Sequence, residues 1–150
     1  MLQRIQTVYL LLATICMVVS LLTNLAVFSY IDGTAYFKAM GFYNNGEMIF
    51  PTWSLLVIGI ISVLLFLLII FIYKWRILQI RFSIFNIFVI LGYYGLIAFY
   101  ILKRNPEAHS VLENMSIGMI TPFIAIIFTY LAIRKIGADE ALIRSLNRIR

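Results

Sequence analysis

The sequence predicts an all-α membrane protein, a four-transmembrane-helix bundle that carries a small outer β-meander and ends in a C-terminal cytoplasmic amphipathic helix. Hydrophobic residues make up 63% of the 150 residues and charged residues only 12%, whereas about a quarter of an ordinary soluble domain is charged. The chain also contains four long uncharged runs, and its basic residues gather at the ends of these runs. We therefore expect a single integral membrane domain over residues 1–150.

Four spans are expected, because each uncharged run is long enough as a helix to cross the hydrocarbon core of a bilayer. The clearest run is Trp53–Tyr73, whose twenty-one residues would extend about 30 Å as a helix. Three basic residues follow it closely, Lys74, Arg76 and Arg81, and they indicate a tight cytoplasmic turn between two antiparallel spans. The expected spans cover residues 5–23, 53–73, 82–102 and 116–133.

The first span is expected to be a retained anchor, since its apolar core is longer than that of a signal peptide and no small-residue cleavage site follows it. Small and weakly polar residues recur along it at spacings of three or four, and these are Tyr9, Ala13, Cys16, Ser20 and Asn24. They share one helix face, which favours close packing against another helix rather than a ligand site. Cys16 is the only cysteine, so no intramolecular disulfide is possible.

The outer loop at residues 24–52 has the pattern of a small antiparallel sheet. Asp32-Gly33 and Asn45-Gly46 are the dipeptides that most favour tight hairpin turns. The residues around them are rich in aromatic side chains, which favour strands. We expect three strands, at residues 26–31, 34–43 and 47–50, with their aromatic side on the membrane interface or on the outer ends of the helices. The alternative is an irregular aromatic loop.

Four polar side chains lie within the third and fourth spans, at Asn86, Tyr93, Thr121 and Thr129. Polar groups inside a bilayer must find partners, so these side chains are expected to face neighbouring helices. They form a candidate polar intramembrane cluster, either a small pocket or a set of interhelical hydrogen bonds that fixes the packing. Packing is the favoured interpretation. Pro122 in the fourth span frees one backbone carbonyl and tends to kink its helix.

The second outer loop resembles the start of a helix at Asn105-Pro106-Glu107, because asparagine caps helices and proline is tolerated at the first helical position. A short amphipathic helix is expected from Pro106 toward the fourth span. His109 lies there between Glu107 and Glu113, but a zinc site needs three or four well-placed ligands. We therefore expect a solvated histidine, no metal site, no cofactor and no catalytic residue.

The tail at residues 134–150 has an apolar side and a basic side when it is drawn as a helix. It is expected to lie on the cytoplasmic leaflet or to dock on a partner. The candidate residues for this cytoplasmic contact are Arg144, Arg148 and Arg150.

The distribution of basic residues predicts the orientation of the spans. Nine of the twelve lie at the N-terminus, in the turn after the second span or in the tail, and three lie in the outer loops, at Lys38, Lys103 and Arg104. Because cytoplasmic segments carry the excess of lysine and arginine, both termini are expected to be cytoplasmic. The basic residues are explained by topology, so no nucleic-acid partner is expected.

Several motifs resemble one family of proteins over the whole chain. They are the opening Leu2–Ala13, the turn Asn45–Glu47 before Trp53, and the closing segments Ala132–Ile136 and Asp139–Ser145. The sequence is similar in these motifs to an uncharacterised family of four-span inner-membrane proteins of Bacteroidota, classed as a domain of unknown function. The resemblance implies a multi-pass protein of the bacterial inner membrane. It implies no catalytic or binding residues.

Two functions are consistent with these features. All charged residues lie outside the predicted spans, whereas ion-coupled transporters generally place ionisable groups at membrane depth. There is also no phosphate-binding glycine loop and no nucleophile paired with a base, so an enzyme is not expected. The first hypothesis is an accessory or scaffold subunit that contacts membrane lipids and binds another membrane protein or further copies of itself. The alternative is a carrier or binder of a lipid or small apolar molecule in an uncharged cavity between helices.

Overall fold

The computed structural model describes residues 3–30, 33–44, 46–104 and 111–148, and this part of the chain contains four long helices. They are α1 (Gln3–Leu22), α2 (Trp53–Phe71), α3 (Arg76–Arg104) and α4 (Ile117–Arg148). Each helix is long and apolar enough to cross a membrane, judged by length and composition. The prediction that the four apolar runs are helices is confirmed.

The bounds of α3 and α4 differ from the predicted ones. α3 begins at Arg76 and not at Phe82, because the chain reverses within the short turn that follows α2, where the Trp75 N–H bonds to the Ile72 carbonyl at 3.0 Å. The following basic and aliphatic residues are good helix formers and extend α3 backwards. The tail is likewise not a separate helix, since α4 runs without a break from Ile117 to Arg148.

The four helices form a closed ring. α1 packs against α2 and α4, and α3 packs against the same two helices. Bulky side chains fill the interior, and those with no exposed surface include Leu10, Met17, Phe66, Ile69 and Ile90. At the end of the ring that carries the turn between α2 and α3, called here the turn end, the Gln6 side-chain amide donates to the Asp139 carboxylate. This contact fastens the start of α1 to the last third of α4.

A five-stranded antiparallel sheet lies at the other end of the ring, called here the sheet end. The strands are β1 (Asn24–Tyr30), β2 (Gly33–Lys38), β3 (Gly41–Asn44), β4 (Glu47–Pro51) and β5 (Val111–Met115), in the spatial order β4-β3-β2-β1-β5. The predicted meander is therefore confirmed in kind, but its middle strand at residues 34–43 is two strands. The chain turns at Ala39 and Met40, and Gly41 then passes so close to β4 that an added Cβ would lie 2.8 Å from the Phe50 carbonyl oxygen.

The predicted amphipathic helix before the fourth span is wrong where it can be compared. Residues 111–115 form β5, which pairs with β1. The unpaired edge of β1 supplies backbone hydrogen-bond partners that a local sequence pattern does not reveal. The rest of that prediction, the helix start at residues 105–107 and the solvated His109, lies outside the described residues.

The sheet buries one face against the sheet end of the helices. Phe28, Phe37 and Phe42 point into this contact, and the Phe37 and Phe42 rings stack with their centroids 4.3 Å apart. Leu55 of α2 and Ile97 of α3 belong to the same buried cluster. A small sheet is unstable alone, so these helices supply the apolar surface that it needs.

Candidate functional site

The most connected group of polar side chains joins α1, α3 and α4 near the sheet end. Pro122 has no N–H, so the Gly118 carbonyl lacks the hydrogen bond that the fourth residue along a helix normally gives. The Ser20 hydroxyl of α1 donates to this carbonyl at 2.6 Å. Since that bond uses the only hydroxyl proton of Ser20, the Tyr93 hydroxyl of α3 donates to Ser20 Oγ, at 3.3 Å.

Two further contacts strengthen this group. The Tyr94 hydroxyl donates to the Met119 carbonyl at 2.6 Å, so Tyr94 bonds to α4 while the adjacent Tyr93 bonds to Ser20 of α1. Gly118 lies against the start of β1, where an added Cβ would be 2.6 Å from the Asn24 carbonyl oxygen. We call Ser20, Tyr93, Tyr94, Gly118 and Met119 the tyrosine junction. It can fix the relative positions of three helices, and it offers no nucleophile with a base.

The other predicted polar residues lie apart from the tyrosine junction or bond within their own helix. Asn86 is fully buried, and its side-chain amide donates to the Ser62 carbonyl of α2 at 3.2 Å. The Thr129 hydroxyl bonds to the Ala125 carbonyl at 2.6 Å, and the Thr121 hydroxyl lies 3.4 Å from the Gly118 carbonyl. Within the described residues, no hydrogen bond joins Asn86, Tyr93, Thr121 or Thr129 to another of the four.

Asn86 retains an unmet hydrogen-bonding group. Its Oδ1 atom and the Ser62 hydroxyl are buried and have no hydrogen-bond partner in the described part of the protein. A buried amide that is only half satisfied costs free energy, which the bond to the Ser62 carbonyl partly offsets.

Two surface clefts lie at the turn end. The first, of about 390 Å³, runs between α1 and the turn and is lined mainly by apolar side chains, with amide groups from Gln6 and Gln79. We call it the amide cleft. The second, of about 340 Å³, lies between the turn and α4 and includes Lys74, Arg76 and Glu140. We call it the turn cleft, and none of the four predicted intramembrane polar residues lines either cleft.

The sheet presents one open edge beside α2. β4 pairs only with β3 in the described part of the chain, and each of its five residues is exposed. Thr52 fixes the position of this edge, because its N–H bonds to the Met40 carbonyl at 3.1 Å and its hydroxyl to the Ala39 carbonyl at 3.1 Å. The strand pattern predicted that β4 would form. Its position at the edge could not be read from the sequence, since strand order depends on pairing between distant segments.

The remaining predicted residues are placed in part. Arg144 and Arg148 belong to the last turns of α4, and Arg150 lies outside the described residues. Among the side chains that are described, no group of three or more His, Cys, Asp or Glu could hold a metal ion. Glu107 and His109 are outside that set, as is the side chain of Glu113.

Comparisons with known proteins give one match. The sequence model of a family described as Domain of unknown function (DUF4293) matches residues 2–149. The matched range contains every helix and strand of the fold. A search of curated proteins and a search of solved structures each gave no match.

Proposed function

This chain belongs to the family described as Domain of unknown function (DUF4293). We propose that it is a multi-pass bacterial inner-membrane protein that acts as an accessory or scaffold subunit for another membrane protein. The proposal joins three statements: the helices cross a membrane, both termini are cytoplasmic, and a partner binds on the outer face. Each has separate support.

Membrane insertion is supported by the outward faces of the helices. Large apolar side chains are exposed along their lengths, for example Leu64 on α2, Phe88 on α3 and Phe123 on α4, each more than half exposed. Exposing such an apolar surface to water is unfavourable, whereas contact with the hydrocarbon of a bilayer is not. An α-helix satisfies most of its backbone polar groups internally, as a membrane requires, and Ser20 of α1 satisfies the Gly118 carbonyl that Pro122 leaves without its helical donor.

The orientation is supported by the charges at the two ends of the ring. Lys74, Arg76 and Arg81 lie at or near the turn end, as do Arg134 and Lys135 of α4. The sheet end carries few basic residues, among them Lys38 and Lys103. This difference supports an orientation with the turn end in the cytoplasm and the sheet outside.

The open edge of β4 is the observation that carries the accessory role. An unpaired strand edge presents backbone N–H and C=O groups that can pair with an added strand. Met48, Ile49 and Phe50 are exposed on this strand and supply apolar contact area beside the backbone groups. The occupant we propose is an extended outer segment of a partner membrane protein. The polar groups of the tyrosine junction are already engaged and contribute to architecture instead.

A site-specific photo-crosslinker tests this role. Placed at Ile49, it should give one crosslinked product in intact membranes, and mass spectrometry should identify the partner as a membrane protein. The same protein should co-purify with the chain in equimolar amount when no crosslinker is used. Met48→Lys should abolish both results, because an edge lysine opposes strand addition. Thr34→Lys, on exposed Thr34 of the interior strand β2, is the matched control and should change neither. A product of twice the mass of the chain, or no product, would contradict the accessory role.

The amide cleft favours the alternative function, binding of a lipid or other small apolar molecule. Its volume of about 390 Å³ suits part of an acyl chain, and Val8 and Leu11 lie on its wall beside the amides of Gln6 and Gln79. Under this alternative the purified protein carries a bound lipid in native mass spectrometry. Leu11→Trp should displace the lipid by filling the cleft, whereas Ile15→Trp, at an exposed α1 position outside the cleft, should not. Equal retention by both variants would contradict binding there.

A further inference from the structure

The turn cleft contains a cationic side chain with one nitrogen atom that has no hydrogen-bond partner in the described part of the protein. Arg76 is mostly buried, and its Nη1 atom is shielded from solvent without a hydrogen-bond partner in the described part of the protein. A guanidinium stays charged and has only donors. A buried charged donor without an acceptor is costly, so an anion in the cleft that Arg76 lines would stabilise the charge of its guanidinium.

The surroundings of Arg76 have the same electrostatic preference. Lys74 and Arg76 bring two positive charges to the turn cleft against the one negative charge of Glu140. α3 also begins at Arg76, and its first turn contains no acidic residue. The first N–H groups of a helix have no acceptor within the helix, and they add to the attraction that the two side chains provide for an anion.

The apolar side chains around the turn cleft indicate where the anion comes from. Trp75, Ile77, Leu78 and Ile143 line the cleft and are exposed. A free phosphate would leave these side chains uncovered, whereas the glycerol and upper acyl chains of a phospholipid would cover them. A tryptophan beside basic residues is also typical of the level at which lipid headgroups lie.

From these observations we propose that the turn cleft binds the phosphate group of a membrane phospholipid. Arg76 and the start of α3 hold the phosphate oxygens, Lys74 adds a positive charge, and Trp75 and Ile143 contact the lipid below the phosphate. The proposal rests on the membrane insertion proposed above, but not on the accessory role or on the amide cleft.

Native mass spectrometry of the full chain in a nonionic detergent tests the site. The protein is mixed with equal amounts of dioleoylphosphatidylglycerol and dioleoylglycerol, which share acyl chains and differ in the phosphate-containing headgroup. The wild-type protein should retain the phospholipid over dioleoylglycerol by about tenfold, the order of effect of one charge-assisted hydrogen bond. Equal retention of the two lipids would overturn the proposal.

Two variants test whether the preference for phospholipid over dioleoylglycerol depends on the turn cleft. Arg76→Gln should reduce it to about twofold or less, because a neutral amide replaces the charged donor. Arg81→Gln is the matched control, since Arg81 is exposed on the same helix and does not line the cleft, and it should keep the wild-type preference. Equal losses in these two variants would overturn the site in favour of general surface charge.

Two further arms keep the test decisive. Lys74 is exposed, so Lys74→Gln should fold normally and should weaken the preference for phospholipid even if Arg76→Gln fails to fold. An unchanged preference in Lys74→Gln, or in a folded Arg76→Gln, would overturn the site. Inorganic phosphate at millimolar concentration should not displace the phospholipid, and full displacement would overturn the lipid assignment. Membrane insertion is tested separately, because a chain that stays monodisperse in buffer without detergent would contradict insertion itself.

Discussion

At the scale of single residues, Pro122 explains why three helices meet at one carbonyl. A proline inside a helix leaves the carbonyl four residues earlier without its usual donor. Here Gly118 is that residue, and the hydroxyl of Ser20 reaches it from α1 while Tyr93 donates to Ser20 from α3. Pro122 changes the hydrogen bonding only within its own helix, and it thereby determines a contact among segments that are distant in the sequence.

Replacing Ser20 by alanine should destabilise the protein by about 1–2 kcal/mol. It removes the shorter of the two hydroxyl contacts to the Gly118 carbonyl and the acceptor for the Tyr93 hydroxyl, and both partners stay buried. Unfolding by sodium dodecyl sulfate in mixed micelles, followed by circular dichroism, measures this loss. Thr129→Val is the control and should cost less than half as much, because the Ala125 carbonyl that Thr129 contacts also lies within regular helix. Equal costs would contradict a special role for the tyrosine junction.

Two glycine substitutions should act in opposite directions. Gly118→Ala places a Cβ 2.6 Å from the backbone oxygen of Asn24, which cannot move without displacing the start of β1. Its cost should be about 1–3 kcal/mol, as in other overpacked sites. Gly92→Ala has no atom within 4 Å of the added Cβ and should stabilise α3 by about 0.5–1 kcal/mol. The same unfolding titration measures both changes, and a Gly118→Ala variant as stable as the wild-type protein would refute the close approach of α4 to the start of β1.

At the scale of elements, the parts of the fold that local patterns determine could be predicted, and the parts that depend on distant pairing could not. Apolar length predicted all four helices, and the Asn45-Gly46 dipeptide predicted the hairpin in which Gly46 adopts a φ of 88°. The break at Ala39 and Met40 carries no such dipeptide, so two strands were predicted as one. β5 was missed because its partner, β1, is distant in the sequence.

In the candidate site, too, local features could be predicted and contacts between distant segments could not. Asn86 and Tyr93 were expected to bond to neighbouring helices, and each does so, through Ser62 and Ser20. The sequence could not indicate that they bond to different helices. The sequence did contain a signal for the role of Gly118, because a residue four positions before a proline such as Pro122 has a backbone carbonyl without its helical donor. The sequence contained no signal for the turn cleft, because the cleft forms only where α4 packs beside the turn.

The alternation of side chains in β2 leads to a prediction for the sheet as an element. Phe37 is fully buried against the helices, whereas its neighbour Tyr36 is exposed on the opposite face. Phe37→Ala should cost about 3–5 kcal/mol and reduce the strand signal in circular dichroism, because it removes a ring from the stack with Phe42. Tyr36→Ala should cost less than about 1 kcal/mol. Similar losses from the two variants would contradict the packing of the sheet on the helices.

At the scale of the whole molecule, the closed ring of helices separates two surfaces with different chemistry. The sheet end offers an open strand edge with apolar side chains, and the turn end offers basic side chains and two clefts. In the proposed orientation these surfaces face opposite sides of the membrane. Partner binding on the outside and lipid binding on the inside then belong to different parts of the chain and can be altered independently.

The sidedness of the two ends tests this account most directly. Cys16 is the only cysteine, so a Cys16→Ala background allows single cysteines to be placed at exposed Thr34 in the sheet and exposed Lys74 in the turn. In intact spheroplasts, a membrane-impermeant maleimide should label Thr34→Cys at once and label Lys74→Cys only after the membrane is permeabilised. Labelling of both positions without permeabilisation, or of Lys74→Cys alone, would contradict the proposed four-span orientation.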